Sequence, residues 1–300
     1  MNQNLEDSKS IGTKHILEEQ KIVQHKDILE QAARSIASAK KIIITAGAGM
    51  GVDSGLPDFR GDKGFWQAYP PLKGIPFEEM ANPEKFKENV HLAWGFYGHR
   101  LNLYRETVPH LGFSILQKWV QNRPYFIYTS NVDGQFQKAG FSDEQIIEIH
   151  GSIHHLQYFS ELDGTWSAKD LEVEIDDTTL HIVNEIPMKN GKLLRPNILM
   201  FSDFEWDSSR TDEQYQRVNT YIKTYFDHDP ASTVIVEMGA GTAIPSIRSF
   251  GERRQRGGET LIRINPRESY GPKGTISIPM GAKMALEAIN AMIAEIQEHQ

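Results

Sequence analysis

The sequence predicts an α/β protein whose core is a doubly wound parallel sheet, with a small subdomain built from two insertions. Short apolar runs such as KKIIITAGAG, PYFIYTSNVDG and STVIVEMGAGT alternate with amphipathic helical segments, which is typical of a parallel sheet covered on both faces. Polar clusters follow five of the predicted strands, which start near Lys41, Tyr125, Gln145, Thr233 and Leu261. Because such sheets bind ligands beyond the carboxyl ends of their strands, we expect a single site at that edge.

The core elements are predicted from local periodicity. HKDILEQAARSIASAK has apolar residues at helical spacing, and KKIIITAGAG predicts a buried strand that enters a glycine turn. GFSILQKWVQN predicts a helix, EQIIEIHGS a strand that ends at His150, and RPNILMFSD a further buried strand. The helices EQYQRVNTYIKTYFDHD and ALEAINAMIAEIQEH flank two more strands. The core is therefore expected to comprise about residues 26–60, 110–152 and 195–300.

Two insertions predict the small subdomain, at residues 61–109 and 153–194. The first is helical and rich in aromatic residues between Phe65 and Tyr97. The second alternates apolar and polar residues, and LEVEIDD and TTLHIV predict short strands within it. Residues 1–25 are expected to form an extension of what is otherwise one domain over residues 1–300.

Composition excludes several classes of function. The net charge is −8 and the pI is about 5.8, so no global field favours a nucleic-acid partner. The chain has no cysteine, which rules out disulfides, thiol catalysis and a thiolate zinc site. The N-terminus lacks an apolar core of a signal peptide, and no apolar run approaches the length of a membrane helix. We expect a cytoplasmic protein without a membrane partner.

The stretch TAGAGMGVDSGLPDFRG, residues 45–61, is the first candidate site. Glycines directly after a strand let backbone amides approach a pyrophosphate, although a glycine-rich turn alone is a weak signal because such turns are common. The following PDFRG adds a carboxylate, an aromatic face and a guanidinium, which can all contact a bound nucleotide. The stretch therefore predicts a nucleotide site.

This stretch resembles the nucleotide-binding signature of the sirtuins, the NAD-dependent protein deacylases. TSNVDGQFQKAGF and IHG are similar to the second and third motifs of that family, and RPNILMFSD, GAGTAIPS and IRIN follow in the family's order. The resemblance covers roughly residues 42–289. It implies a Rossmann-like core, a single sirtuin-like catalytic domain and NAD as the co-substrate.

The resemblance also implies a role for each matching residue. His150 is implied as the general base, and Asn131 and Asp133 as the walls of the nicotinamide pocket, with Asp133 bonded to the carboxamide. The implied cofactor-binding residues are Gly47, Ala48, Gly49, Asp58, Phe59, Arg60, Ser130, Asn131, Asp133, Gly241, Thr242 and Asn265. Phe201, Ser202 and Asp203 match the loop that borders the acyl-peptide groove.

A histidine suits the base because its ordinary pKa lies near neutral pH. The base must deprotonate a ribose hydroxyl after the acyl-lysine oxygen has captured the ribosyl carbon and nicotinamide has left. His154 and His155 follow in the same segment, where successive side chains of a strand point to opposite faces. We therefore expect these two to be structural, one packed and one exposed to solvent, and not to share a metal.

The chain departs from the family pattern at several positions. The insertion at residues 153–194 lacks the family's zinc-binding cysteine pairs, so no zinc is expected and Tyr158, Phe159 and Trp166 are expected to hold its shape. Ser130 stands in place of a glutamine, and Phe201-Ser202-Asp203 in place of Phe-Gly-Glu. The nicotinamide side is thus retained, while the acyl-peptide groove is altered.

Four functions remain open at this stage. The first is an NAD-dependent protein-lysine deacylase that yields nicotinamide and O-acyl-ADP-ribose from an acyl-lysine protein or peptide. The second is an ADP-ribosyltransferase with another acceptor, and the third is an NAD hydrolase. A non-enzymatic NAD sensor is disfavoured because a pure binder has no use for a base. The aromatic cluster could line an acyl tunnel, although a cluster of this kind more often forms the core of a subdomain. Trp206 and Arg210 are candidates either to contact a substrate or to pack over the sheet. The acyl chain and the oligomeric state are not predicted.

Overall fold

The computed structural model describes residues 17–58 and 61–299, with only the backbone of residues 61–63. The strands are β1 Lys41–Ala46, β2 Tyr125–Thr129, β3 Ile146–Glu148, β4 Gly151–Tyr158, β5 Trp166–Ser167, β6 Ile175–Asp176, β7 His181–Ile182, β8 Met188–Lys189, β9 Lys192–Ile198, β10 Thr233–Met238, β11 Thr260–Ile264 and β12 Ile276–Ile278. The helices are α1 Lys26–Ser38, α2 Gly61–Ala68, α3 Phe77–Met80, α4 Glu84–Glu88, α5 Val90–Glu106, α6 Leu111–Val120, α7 Gln135–Lys138, α8 Ser209–Tyr225, α9 Ser246–Arg256 and α10 Ala282–Glu298. Residues 17–24 are also helical. Most of the predicted extension, residues 1–16, lies outside the described part.

The main sheet contains six parallel strands in the order β12-β11-β10-β1-β2-β3. From β1 the chain first builds outward through β2 to β3, and it then returns to add β10, β11 and β12 on the other side. The order of strands therefore reverses between β1 and β10, which is where doubly wound sheets form their ligand crevice. The predicted fold class is confirmed.

Helices cover both faces of this sheet, which explains why its strands are continuously apolar. All six residues of β1 and of β10 are buried. On one face α1, α6 and α10 pack with Leu29, Phe113 and Leu286 in one core. On the other face α8 and α9 contribute Val218 and Phe250 to a second core.

A second sheet is antiparallel, with strand order β5-β4-β9-β8. The segment RPNILMFSD was predicted as a further buried strand, and its first residues belong to β9. This strand pairs with β4 in the second sheet and not with the main sheet. The pair β6 and β7 forms a separate antiparallel hairpin that packs on α5. The short strands predicted at LEVEIDD and TTLHIV correspond to this hairpin.

The aromatic cluster forms the core of this second half of the molecule. Phe65, Trp94, Phe96 and Tyr97 are buried there, and Phe96 meets Phe65 edge to face with ring centroids 5.8 Å apart. The residue limits predicted for the core and for the small subdomain remain a prediction. In the described part of the chain no helix has the length and apolarity that crossing a membrane requires.

Candidate functional site

Two glycine turns meet at the point where the strand order reverses. Gly47 follows β1, and its amide donates to the carbonyl of Met238 at 3.0 Å; the amide of Gly49 donates to the carbonyl of Gly239 at 3.1 Å. A Cβ on Gly47 would lie 2.9 Å from the Gly239 oxygen, and one on Gly49 would lie 2.7 Å from the Gly239 Cα. The two backbones therefore touch, and only glycine fits at the contact.

Gly47, Ala48 and Gly49 border the crevice beyond β1. Ala48 begins a short 3₁₀ turn, Ala48–Met50, and its side chain is exposed. No side chain extends from Gly47 or Gly49, so backbone is the surface that this turn offers. A turn of this kind suits the close approach of a phosphate to backbone.

A hydroxyl at the end of β2 positions the next pair of predicted site residues. The Thr129 Oγ1 donates to the carbonyl of Ala46 at 3.0 Å and accepts from the amide of Asn131, also at 3.0 Å. The amide of Ser130 donates to the same Ala46 carbonyl at 3.1 Å. Residues 129–131 are thereby bonded to the end of β1, next to the glycine turn.

Asp133 is buried on the same loop, with 8% of its surface exposed. Burial raises the pKa of its carboxyl to about 6, and the charge of Glu148 adds to this shift, while the amide of Gln135 opposes it. That amide donates to Asp133 Oδ1 at 3.0 Å. The carboxyl can therefore change protonation near neutral pH, which is a property of many functional carboxyls.

His150 lies just beyond β3 and is half-buried. Burial lowers the pKa of its imidazole, and a hydrogen bond to the Ser130 backbone partly offsets that effect. The Ser130 amide already donates to the Ala46 carbonyl, so the ring bonds to the Ser130 carbonyl and acts as the donor. One nitrogen is then fixed as the donor, and the other remains free to accept a proton in the neutral ring.

The turn after β10 presents hydrogen-bond donors to an anionic oxygen. The Thr242 amide donates to Glu268 Oε2 at 3.3 Å, and its hydroxyl donates to Glu268 Oε1. At Gly241 a Cβ would meet only Glu268 Oε2, at 3.4 Å. The Gly241 and Thr242 turn can therefore hold an oxyanion.

Asn265 shapes the opposite wall of this turn from a fully buried position. Its amide nitrogen donates to the Ala240 carbonyl at 2.8 Å, and its Oδ1 accepts from the amides of Arg267 and Glu268 at 3.0 and 2.9 Å. The side chain thus supports the loop that brings Glu268 to the site. Sequence reasoning missed Glu268, although an acidic residue after the second strand of such a unit is a known signal for a ribose site.

Asp58 lies at the mouth of the crevice, where its Oδ2 is 3.5 Å from the Arg267 guanidinium. The two residues that follow it, Phe59 and Arg60, were also predicted to bind the cofactor. Both lie outside the described residues.

The three predicted groove residues are consecutive, but their side chains lie in different environments. Phe201 is half-buried and meets Phe77 edge to face at 5.8 Å. Ser202 is exposed and has a left-handed φ of 54°, which is strained for a residue other than glycine. The carboxylate of Asp203 is fully buried against Arg195, with N–O distances of 2.7 and 2.9 Å. The Asp203 side chain therefore holds the turn together, and its place at a substrate groove stays a prediction.

The structure places Arg210 against β3 of the main sheet and leaves the role of Trp206 open. The Arg210 guanidinium pairs with the buried carboxylate of Glu148 at 2.5 Å, and Trp206 is half-buried.

The expectation for His154 and His155 was wrong in part. Both are half-buried, so the expected contrast between one packed ring and one solvent-exposed ring is not seen. The register of β4 with β9 shifts between Ser152 and Leu156, and such a bulge breaks the strict alternation of faces. His154 instead bonds to the Asp133 carbonyl at 3.0 Å.

Over residues 17–58 and 61–299, no three histidine or acidic side chains converge as metal ligands.

Comparisons with known proteins give a consistent result. A family model described as the Sir2 family matches residues 47–222. An NAD-dependent protein deacylase of Aquifex aeolicus is 29% identical over 235 residues, which cover 76% of this chain and 84% of that protein. A protein of the same description from Deinococcus radiodurans is 26% identical over 267 residues, 87% of this chain and 98% of that protein. An NAD-dependent protein deacetylase of Halalkalibacterium halodurans is 31% identical, but the match spans only 63% of its length.

Solved structures share the fold. A Sir2 homologue in complex with NAD has a TM-score of 0.66 and 22% identity, and the match covers 90% of this chain and 94% of that one. A Sir2 protein bound to a deacetylated p53 peptide and 3′-O-acetyl ADP ribose has a TM-score of 0.62 at 14% identity, over 87% of this chain and 96% of that one.

Proposed function

Because this chain belongs to the Sir2 family, we propose that it is an NAD-dependent protein-lysine deacylase that releases nicotinamide and O-acyl-ADP-ribose. The observation that carries this proposal is the position of His150. Its ring is oriented by the Ser130 carbonyl and stands next to the loop that holds the buried Asn131 and Asp133. A base, an amide and a carboxyl at one strand edge are the groups that this reaction needs.

The crevice fits NAD on two grounds. The turn after β1 borders the crevice without a side chain at Gly47 or Gly49, and the Thr242 amide and hydroxyl already bind carboxylate oxygens of Glu268. Both features suit a pyrophosphate. When bound, NAD supplies a ribosyl carbon whose leaving group is nicotinamide.

We assign the protein groups as follows. Asn131 and Asp133 hold nicotinamide, and the raised pKa of Asp133 lets its carboxyl donate or accept toward a carboxamide. His150 accepts the proton of a ribose hydroxyl through the nitrogen that does not face Ser130. Asp58, which stands beside Arg267 at the mouth of the crevice, helps to exclude water, which would otherwise compete as the acceptor.

The acceptor is the less constrained part of the proposal. An acyl-lysine peptide is supported by the description of the relatives as protein deacylases. A second candidate is transfer of ADP-ribose to another acceptor, and one observation favours it. The Asp203 carboxylate is turned inward to Arg195, so this acid does not face an acyl-peptide, and the loop departs from the family's motif.

Mass spectrometry of NAD incubated with and without a panel of acyl-lysine peptides tests the function. We expect nicotinamide release that requires a peptide, together with O-acyl-ADP-ribose. Nicotinamide released without peptide would overturn the deacylase assignment. Free ADP-ribose as the second product would indicate a hydrolase, and ADP-ribose attached to protein would indicate a transferase.

Replacing the base gives the second test. We expect His150→Ala to lower the rate of product formation by about 10²–10⁴-fold, while the Kd for NAD measured by calorimetry changes little. The matched control is His228→Ala, because His228 is an exposed histidine outside the crevice. Full turnover by His150→Ala would refute the assignment of the base.

A further inference from the structure

The segment that follows the glycine turn is held in place by residues from two core helices. It consists of two short 3₁₀ turns, Ala48–Met50 and Val52–Ser54, and it joins the turn at Gly47 and Gly49 to the mouth of the crevice at Asp58. A 3₁₀ turn of three residues has few hydrogen bonds of its own. Its position therefore depends on the side chains and helices that contact it.

His110 makes the central contact with this segment. It is the N-cap residue of α6 and only 8% of its surface is exposed. Its ring lies between two backbone groups, with Nε2 3.0 Å from the carbonyl oxygen of Met50 and Nδ1 3.0 Å from the amide nitrogen of Gly112. The amide of His110 itself donates to Ser54 Oγ at 3.0 Å. One residue thus joins both 3₁₀ turns to the start of α6.

The two partners of the ring fix where its hydrogen lies. The Gly112 amide can only donate and the Met50 carbonyl can only accept, so Nδ1 is bare and Nε2 carries the hydrogen. Burial is the main cause that lowers the pKa of His110, and the bond to Met50 opposes it. Smaller effects come from the charged groups that face the ring from the neighbouring turn and from α10, which are Asp53, Lys283 and Glu287. At neutral pH the ring is therefore an uncharged donor to Met50.

Packing leaves the ring no second position. A Cβ on Gly112 would lie 2.5 Å from Cε1 of His110 and 2.8 Å from Cδ1 of Leu286, so the ring and α10 both close on the backbone at Gly112. Phe113 meets the ring edge to face, with centroids 5.0 Å apart. The donor at Nε2 is therefore held at a fixed place behind the glycine turn.

Met50 is the point at which the two glycine turns of the crevice meet. Its amide donates to the Gly47 carbonyl at 3.0 Å, and its side chain is fully buried. A Cβ on Gly239 would lie 2.3 Å from the Met50 nitrogen, so the second turn rests directly on this residue. A shift of the Met50 carbonyl would consequently move the backbone of Gly47 and Gly49, which borders the crevice.

The second 3₁₀ turn has an anchor that does not involve the ring of His110. Asp53 Oδ2 accepts from the amide of Lys283 at 2.8 Å, in the first turn of α10. The N-cap residue of α10 is Gly281, which has no side chain, so Asp53 supplies the cap from a distant part of the chain. Loss of the His110 ring should therefore loosen Met50 and leave Val52–Ser54 attached to the core.

We propose that His110 is a positioning residue for NAD, which holds the Met50 carbonyl through Nε2 and thereby sets the glycine turn that takes the pyrophosphate. The inference rests on the proposed function, because it requires that the crevice bind NAD. His110 acts through Met50 and not through contact with the cofactor. Because the turn holds the phosphates alike before and during the reaction, loss of this positioning raises the KM for NAD and leaves kcat nearly unchanged.

Two substitutions of His110 separate positioning from a purely structural role. The amide of His110→Asn keeps an acceptor near the place of Nδ1 for Gly112, but it is too short to reach Met50. His110→Gln places a donor near Nε2 for Met50, but it has no acceptor for Gly112. Each variant loses one buried hydrogen bond of the ring, so both should lower the midpoint of urea denaturation to a similar extent.

Calorimetric titration with ADP-ribose, which needs no turnover, distinguishes the two variants. We expect His110→Asn to raise the Kd for ADP-ribose, and the KM for NAD, by about tenfold. His110→Gln should stay within about twofold of the wild type in both constants, although it is equally destabilised. Equal affinities in the two variants would show that the ring is only structural and would overturn the inference alone. A wild type that binds no ADP-ribose would overturn the proposed function as well.

Discussion

Asp133 shows how one buried carboxyl links stability to chemistry. Its environment disfavours the charged form, since burial is the main cause of the raised pKa and the nearby Glu148 is a second. The folded protein therefore prefers the protonated carboxyl, so its stabilising effect is complete below the ordinary pKa of 3.8 and is lost as the pH rises through about 6.

Replacing this carboxyl by an amide should remove the pH dependence. We expect Asp133→Asn to gain stability relative to the wild type by about 1 kcal/mol between pH 5 and pH 7.5. Urea denaturation over that range measures the difference. Asp177→Asn, at an exposed position, should show no such trend. An equal trend in both variants would mean that Asp133 is ionised without a penalty.

The buried pair of Arg195 and Asp203 is a second feature of single residues that can be tested. Both side chains are fully buried, and Asp203 also accepts from the amides of Met200 and Glu205. Asp203→Asn keeps acceptors for these amides but leaves Arg195 without a counter-charge. We expect a loss of roughly 3–5 kcal/mol in the free energy of unfolding.

The double variant distinguishes charge from packing. Arg195→Met combined with Asp203→Asn removes the uncompensated cation, and more than half of the lost stability should return. If the double variant is as unstable as Asp203→Asn, the loss comes from the shape of the turn at Ser202 and not from the buried charge.

At the scale of elements, the contact between the turns after β1 and β10 decides the shape of the crevice. Gly239 has a φ of 62°, and a Cβ there would lie 2.3 Å from the Met50 amide nitrogen. Gly74 provides a matched comparison, since its φ is 96° and a Cβ there would have no atom within 4 Å. The two glycines share a backbone requirement, but only Gly239 is also sterically enclosed.

Alanine at these two positions should therefore have different costs. Gly74→Ala is expected to lose on the order of 1–2 kcal/mol from left-handed strain alone. Gly239→Ala should lose at least about 2 kcal/mol more, and it should also weaken NAD binding because the turns must separate. Urea denaturation and calorimetry measure both effects. Equal losses would show that β1 and β10 tolerate separation.

These elements also show what could be predicted. The strands of the main sheet are continuous apolar runs because helices cover both faces, so β1, β2 and β10 were evident from the sequence. The direction of β9 was not, since a buried run in an antiparallel sheet has the same pattern. The bulge in β4 likewise has no signal in its sequence, and it misplaced His154 and His155.

The same limit applies to the site. Motif order predicted which residues approach the strand ends, and His150, Asn131 and Asp133 do lie on neighbouring loops. The partners of a side chain depend on loops that fold back over long sequence distances. For that reason the burial of Asp203 against Arg195, and the approach of Glu268 to Thr242, could not be derived from spacing.

For the molecule as a whole, the central question is what stabilises the half without the main sheet. Its core is aromatic, and hydrogen bonds join its insertion to α5. The Trp94 indole donates to the Leu194 carbonyl at 3.0 Å, and Arg105 donates to the Leu171 carbonyl at 2.7 Å. Tyr158 and Trp166 meet edge to face at 4.7 Å. We expect these contacts to stabilise this half of the molecule, as a structural metal stabilises other small domains.

This half should therefore fold without zinc. We expect prolonged treatment with EDTA to leave the Tm unchanged, and elemental analysis of the untreated protein to find zinc well below one atom per chain. A structural zinc contributes directly to folding free energy, so its removal would lower the Tm by several degrees. Such a drop, together with stoichiometric metal, would mean that histidine or acidic ligands hold the insertion. Unchanged NAD turnover after chelation would in addition show that the crevice and the aromatic core keep their relative arrangement without a metal.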